Sequence, residues 1–192
     1  MNKHEKSYQA GLVEEEKFAR LYPEVVPQSR FAVLDFSYKG EEIMIELKSR
    51  AVRLSQYPTT MVDINKYTEV LNRFLGNSKL RYCLFVFKFT DSEKYWYYKL
   101  DKTECYKLLS AVPNPGLLRE CITTKRKIFN KSEFRAVELA LADIIDDGMT
   151  SMFTTLTFCD KINKSTEYKL QLSFRTDMLT ELTTLQATEE GK

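Results

Sequence analysis

A single histidine, His4, stands in the 192 residues of the chain, which excludes a metal centre built on imidazoles, and its place in the first few residues, where a helix end frays, argues against a Ser-His-Asp or Cys-His nucleophilic site. The four cysteines, Cys83, Cys105, Cys121 and Cys159, are far apart and form no CxxC pair, so neither a zinc site nor a disulfide framework is expected. No apolar run approaches the roughly 18 residues that would span a bilayer. The start, MNKHEKSYQ, lacks the apolar segment of a secretory signal, and the expectation is an intracellular protein, cytoplasmic or nucleoid/nuclear. An excess of one charge is also missing. Lys+Arg number 29 against 27 Asp+Glu, a net +2, so global charge selects no partner, although a locally basic cleft is compatible with it. What chemistry remains must run on carboxylates, lysine, tyrosine or a hard metal ion.

Hydrophobic residues make up 43% of the chain, enough for a real core. Residues 5–22 read as a helix that stops before Pro23. FAVLDFSY and EEIMIELKS alternate at period two around Lys39-Gly40, the pattern of a hairpin. Thr59 or Thr60 is expected to cap a helix running to about Leu75, closed by Gly76-Asn77. LRYCLFVFKF and KYWYYKL read as a second strand pair, and DKTECYKLLSAV as a short helix. Farther on, a helix capped by Ser132 and stopped at Gly148 precedes a last hairpin, SMFTTLTFCDKI with TEYKLQLSFRT, and the terminal ATEEGK is expected to be disordered. This order predicts an α/β fold with a mixed central sheet flanked by helices, in which residues 1–112 form the core and 113–192 an α+β elaboration.

The hairpin carries more charge than a strand pair needs. With a two-residue turn at Lys39-Gly40, Asp35 faces Met44 and Val33 faces Glu46, so Asp35, Glu46 and Lys48 share one side, with Asp35 diagonal to Glu46 at roughly 7–8 Å. A one-residue slip would drive Ile43, Ile45 and Leu47 to the wrong face. On the first helix, Tyr8, Leu12, Ala19 and Tyr22 form a stripe with Glu15 in its middle and Glu14 and Glu16 diverging. A buried acid needs a partner, and the expectation is that Glu15 reaches the acids of the hairpin. Carboxylates gathered without histidine or cysteine favour Mg2+ or Mn2+.

These residues, GLVEEEKFA followed by Asp35 and IMIELKSR, resemble the PD-(D/E)XK nuclease superfamily, and are most similar to its archaeal-type Holliday junction resolvases. The likeness spans roughly residues 5–100, with Leu34 standing where a proline often precedes the aspartate. It implies a restriction-endonuclease-like fold and a metal-dependent endonuclease acting on DNA, branched DNA in particular. Glu15, Asp35 and Glu46 would then be catalytic acids and metal ligands, aided by the carbonyl of Leu47, with Lys48 positioning the attacking water. Ser29 is matched to a serine that assists in the family, and such resolvases pair as homodimers.

Arg50, Lys66 and the run Lys125, Arg126, Lys127 are candidate contacts to a nucleic-acid backbone. The residues leave other readings open. Phosphodiester chemistry does not name the sugar, so RNA cutting or nicking fits the same site, and a binding or assembly module keeping the fold without the chemistry fits it too. The plainest alternative for Asp35, Glu46 and Lys48 is a solvated strand face with an ion pair worth about 0–1 kcal/mol. Tyr95 to Tyr98 are expected to divide between core and edge of a strand.

Overall fold

The computed structural model describes residues 3–76, 78–110, 128–129, 151–160 and 165–190. Among these the chain forms two compact, interleaved units: residues 1–58, 79–101 and 176–192 in the first, and 59–78 and 102–175 in the second. The expected division at residue 112 is therefore corrected. The chain enters the second unit at residue 59 and returns to the first to supply an edge strand at its far end.

The first unit is α/β. Helix α1 (Lys3–Leu21) precedes strands β1 (Val26–Pro27), β2 (Phe36–Tyr38) and β3 (Ile43–Ser49). The second unit then contributes β4 (Thr59–Asp63) and α2 (Ile64–Leu75) before the chain returns for β5 (Tyr82–Lys88) and β6 (Tyr95–Asp101). The six-stranded mixed sheet of the first unit has the order β1-β2-β3-β5-β6-β10, where β10 is Thr180–Leu182. Only β3 and β5 run parallel in it, with Ile43 beside Tyr82 and Ser49 beside Lys88. A parallel pair needs a long crossover, and here the connection passes through β4 and α2.

Alternation explains the core. Ile43, Ile45 and Leu47 of β3 and Tyr82, Leu84 and Val86 of β5 present one face, onto which α1 lays Phe18 and Tyr22. Phe18 is fully buried, with its ring centroid 5.3 Å from Phe36 and 5.1 Å from Tyr95. The intervening residues Met44, Glu46, Cys83, Phe85 and Phe87 are buried as well, so β3 and β5 are covered on both sides. Tyr95 and Tyr98 are buried, and Trp96 and Tyr97 half-buried, as expected of core and edge.

In the second unit β4 pairs with β9 (Ser165–Arg175), which also pairs with β7 (Ile128–Phe129) and β8 (Ser151–Asp160). The last expected hairpin is thus present as β8 and β9, and α3 (Lys102–Ser110) matches the short helix. The Tyr67 hydroxyl donates to the Cys105 carbonyl at 2.9 Å, joining α2 to α3. The helix expected to start at Thr59 or Thr60 begins instead at Ile64. The β-branched residues Thr59, Thr60 and Val62 find a partner strand more than a hundred residues away, and this overrides the local capping signal. Gly76 closes α2 as expected, its N–H donating to the Asn72 carbonyl at 2.8 Å. The expected helix between Ser132 and Gly148 lies outside the described residues.

The terminal segment expected to be disordered contains a short helix, α4 (Ala187–Glu190). Thr188 is buried, its hydroxyl 3.0 Å from that of Tyr82, while Lys99 donates to its carbonyl at 2.8 Å. Glu189 lies 2.6 Å from the Lys39 ammonium and 3.4 Å from Arg81. No described helix is long and apolar enough to cross a membrane.

Candidate functional site

The hairpin differs from expectation in its turn. Phe36 pairs with Ile45, Ser37 with Met44 and Tyr38 with Ile43, leaving four loop residues from Lys39 to Glu42 where a two-residue turn was expected. Lys39, Gly40 and Glu41 all have positive φ, at 51°, 63° and 73°. Two non-glycine residues thus take a left-handed conformation that sequence alone does not announce. The two-residue shift leaves facing parity intact, sets Tyr38 against Ile43 in the core and moves Glu41 out of the strand.

The apolar run before Asp35 is not strand. Phe31 is almost wholly exposed, and Ser29 lies exposed at a turn where its carbonyl accepts the Ala32 N–H at 2.8 Å. At Asp35 the backbone turns between two neighbours: its N–H donates to the Ile45 carbonyl of β3 at 3.0 Å, and its carbonyl accepts the Gln28 N–H at 2.9 Å. Its side chain then replaces a main-chain acceptor. Oδ2 accepts the N–H of Leu47 at 2.8 Å, which fixes the half-buried carboxylate beside β3, level with the residue between Glu46 and Lys48. Because N–H and C=O of one strand residue point to the same edge, the carbonyl of Leu47 lies on the Asp35 side.

Glu46 is fully buried, and its Oε1 lies 2.6 Å from the ammonium of Lys48, whose side chain is 31% exposed. This is an ion pair of the interior, not the solvated strand face of the plainer reading. Burial alone pulls the Lys48 ammonium down, but the charge and hydrogen bonding of Glu46 and the charge of Asp35 outweigh it, so the group is held above the ordinary lysine value. Lys48 is a fixed cation at neutral pH.

The helix glutamate is the main correction. Among the described residues no three or more His, Cys, Asp or Glu side chains gather closely enough to hold a metal ion, so Glu15 does not complete a cluster with Asp35 and Glu46. The physical reason is the rotation of α1. The stripe centres on Phe18, which turns Glu14 inward and leaves Glu15 half-buried. Moreover, α1 packs on the face of Ile43, Ile45 and Leu47, whereas Glu46 and Lys48 occupy the alternate positions of β3. Glu14 instead accepts the Tyr95 hydroxyl at 2.7 Å and lies 3.7 Å from Lys17. Burial first, then this bond to a carboxylate, raises the Tyr95 phenol above its usual range. A sequence signal for Glu14 existed: Phe18 is the helix's only phenylalanine, and residues four before and four after it, Glu14 and Tyr22, share its face.

Of the candidate backbone contacts, Arg50 is half-buried at the end of β3, its guanidinium 5.7 Å above the Phe87 ring and its N–H on the Lys88 carbonyl at 2.8 Å. Lys66 belongs to α2 of the second unit. Lys125, Arg126 and Lys127 lie outside the described residues. Comparison of the chain with protein-family models, with curated proteins and with solved structures gives no match.

Proposed function

We propose that the chain is a metal-dependent endonuclease of restriction-endonuclease-like fold, hydrolysing phosphodiester bonds of DNA, branched DNA in particular, and working as a homodimer. The observation that carries this reading is the Asp35 carboxylate locked to the N–H of Leu47, the residue between the ion-paired Glu46 and Lys48, with its charge felt by the Lys48 ammonium. The donors fit a hard cation: two carboxylates and the Leu47 carbonyl, all oxygen. Asp35, Glu46 and Leu47 would hold Mg2+ or Mn2+, which when bound supplies Lewis acidity and lowers the pKa of a coordinated water. Lys48, held protonated, serves as a stabiliser of charge developing on the phosphate rather than as a base. Asp35 is oriented by the backbone of β3, so its carboxylate needs no reorganisation.

A second reading has an observation of its own. Asp35 is bonded by Leu47 and Glu46 is paired by Lys48, an arrangement that also suits a binding or assembly module without catalysis. The test covers both. Labelled four-way, flap, duplex and single-stranded DNA, with RNA in parallel, is incubated with Mg2+ or Mn2+, and Asp35→Asn or Lys48→Met lowers cleavage at least about a hundredfold, the scale of losing one charge stabiliser. Cleavage of RNA alone would transfer the activity to that substrate. No cleavage, together with no Asp35-dependent Mn2+ heat in calorimetry, would establish the module.

A further inference from the structure

The parallel strands β3 and β5 end side by side at Ser49 and Lys88, and beyond them, against α1, opens a cavity of about 230 Å3. Crevices outside the carboxyl ends of parallel strands are where open α/β sheets take ligands. The volume lies below the range of drug-sized sites, roughly 300–1,000 Å3, and is several times the ~30 Å3 share of a water molecule. It suits a small group of a few heavy atoms, not a nucleobase with its sugar.

Its charge selects the sign of that group. Three cations, Lys17, Arg50 and Lys88, line the cavity with two acids, Glu14 and Glu93. Glu14 is already engaged by the Tyr95 hydroxyl and by Lys17. Glu93 lies 3.7 Å from Lys88 but is fully exposed, where water screens such a pair almost completely. Lys88 by contrast is only 15% exposed, donates to the Ser92 carbonyl and sits 5.7 Å over the Tyr95 ring. A largely buried ammonium next to polar space is best compensated by an anion that enters that space. Ser49 and Thr90 also line the cavity, two hydroxyl-bearing residues able to donate to an anion with more oxygens than the cations alone can meet.

We propose that this cavity is a binding site for a phosphate monoester, the group carried by the end of a nucleic-acid strand or by a small sugar phosphate. Lys88 and Arg50 are the charged donors nearest the phosphate oxygens. The site stands whether or not the Asp35 centre is catalytic.

Calorimetry and chemical-shift titration of the full chain test it with inorganic phosphate, ribose 5-phosphate, and one short oligonucleotide bearing either a 5′-phosphate or a 5′-hydroxyl. Saturable binding that requires the phosphate is expected. A preference for the phosphorylated oligonucleotide over its hydroxyl form identifies a strand end as the source, and a preference for ribose 5-phosphate identifies a small metabolite. Lys88→Met weakens binding about tenfold or more, the loss of one charge-assisted hydrogen bond, and Lys88→Arg restores it. Arg50→Gln acts in the same direction and replaces Lys88→Met as the test should that variant fail to fold. Asp35→Asn keeps phosphate binding while abolishing cleavage, so failure of the catalytic reading is distinguished from failure of this one. Absence of saturable binding by every phosphate probe, or equal binding by folded Lys88→Met and Arg50→Gln, would overturn it.

Discussion

Glu46 and Lys48, two residues apart on β3, hold their charges 2.6 Å apart with the carboxylate out of contact with solvent. Removing the ammonium alone strands a buried negative charge. Lys48→Met is expected to destabilise the protein by about 3 kcal/mol, the lower end for a broken buried pair because the lysine is partly exposed. Glu46→Gln with Lys48→Met returns to within about 1 kcal/mol of the parent, since neither charge is then left alone. Urea midpoints of the four proteins in this cycle check it, and independent, additive losses would show that the two groups are not coupled.

The same pair shapes stability at high pH. Lys48 has a folded pKa above its unfolded value, so its contribution is complete below about pH 10.4 and is lost as pH rises through the folded value. Tyr67 and Tyr95, also raised, act in the same direction: their phenols ionise more readily once unfolded, so stability falls as pH passes about 10. Melting temperature should therefore lack any drop from these groups between pH 7 and 9 and fall above pH 10. The fall should be shallower in Lys48→Met than in the parent.

Tyr95→Phe removes the hydroxyl that meets Glu14 at 2.7 Å and leaves the inward carboxylate with one donor fewer. A loss of about 1–3 kcal/mol follows, the cost of depriving a buried acceptor of its partner. Glu14→Gln, which can still accept from the tyrosine, should cost less. Denaturation midpoints that rank the two variants in the opposite order would show that the hydroxyl is not what holds Glu14 inward.

Truncation after Gln186 removes α4 and with it the partners of Tyr82 and Lys99. The expected loss is about 1–2 kcal/mol for two hydrogen bonds. Amide exchange should rise selectively in β5 and β6, and a change confined to the last few residues would mean that α4 contributes nothing to the sheet.

Much of the first unit was legible in the sequence because β3, β5 and β6 are short runs rich in β-branched and aromatic residues, set off by turn residues. The shared parity of Asp35, Glu46 and Lys48 was legible too, since a two-residue change of register moves no side chain across the sheet. The loop length was not, because Lys39 and Glu41 take a conformation that only Gly40 advertises. Glu14 was missed because the stripe was drawn through Tyr8, Leu12, Ala19 and Tyr22 and left out Phe18, whereas Tyr8 is exposed and Phe18 is the helix residue set fully into the core. Strand β4 and helix α4 depend on partners far away in the chain, β9 for the one and Lys39, Tyr82 and Arg81 for the other. Local pattern carries no record of such pairings.

The interleaving of the two units has a consequence for anyone dividing the gene. Residues 59–78 and 102–175 belong together, between and after pieces of the other unit. A single stop codon or a single protease nick therefore cannot release either unit whole: a fragment ending at residue 112 carries five strands of the first sheet without its sixth, together with β4, α2 and α3 severed from the strand that β4 pairs with. Isolating either unit requires joining non-adjacent stretches of coding sequence.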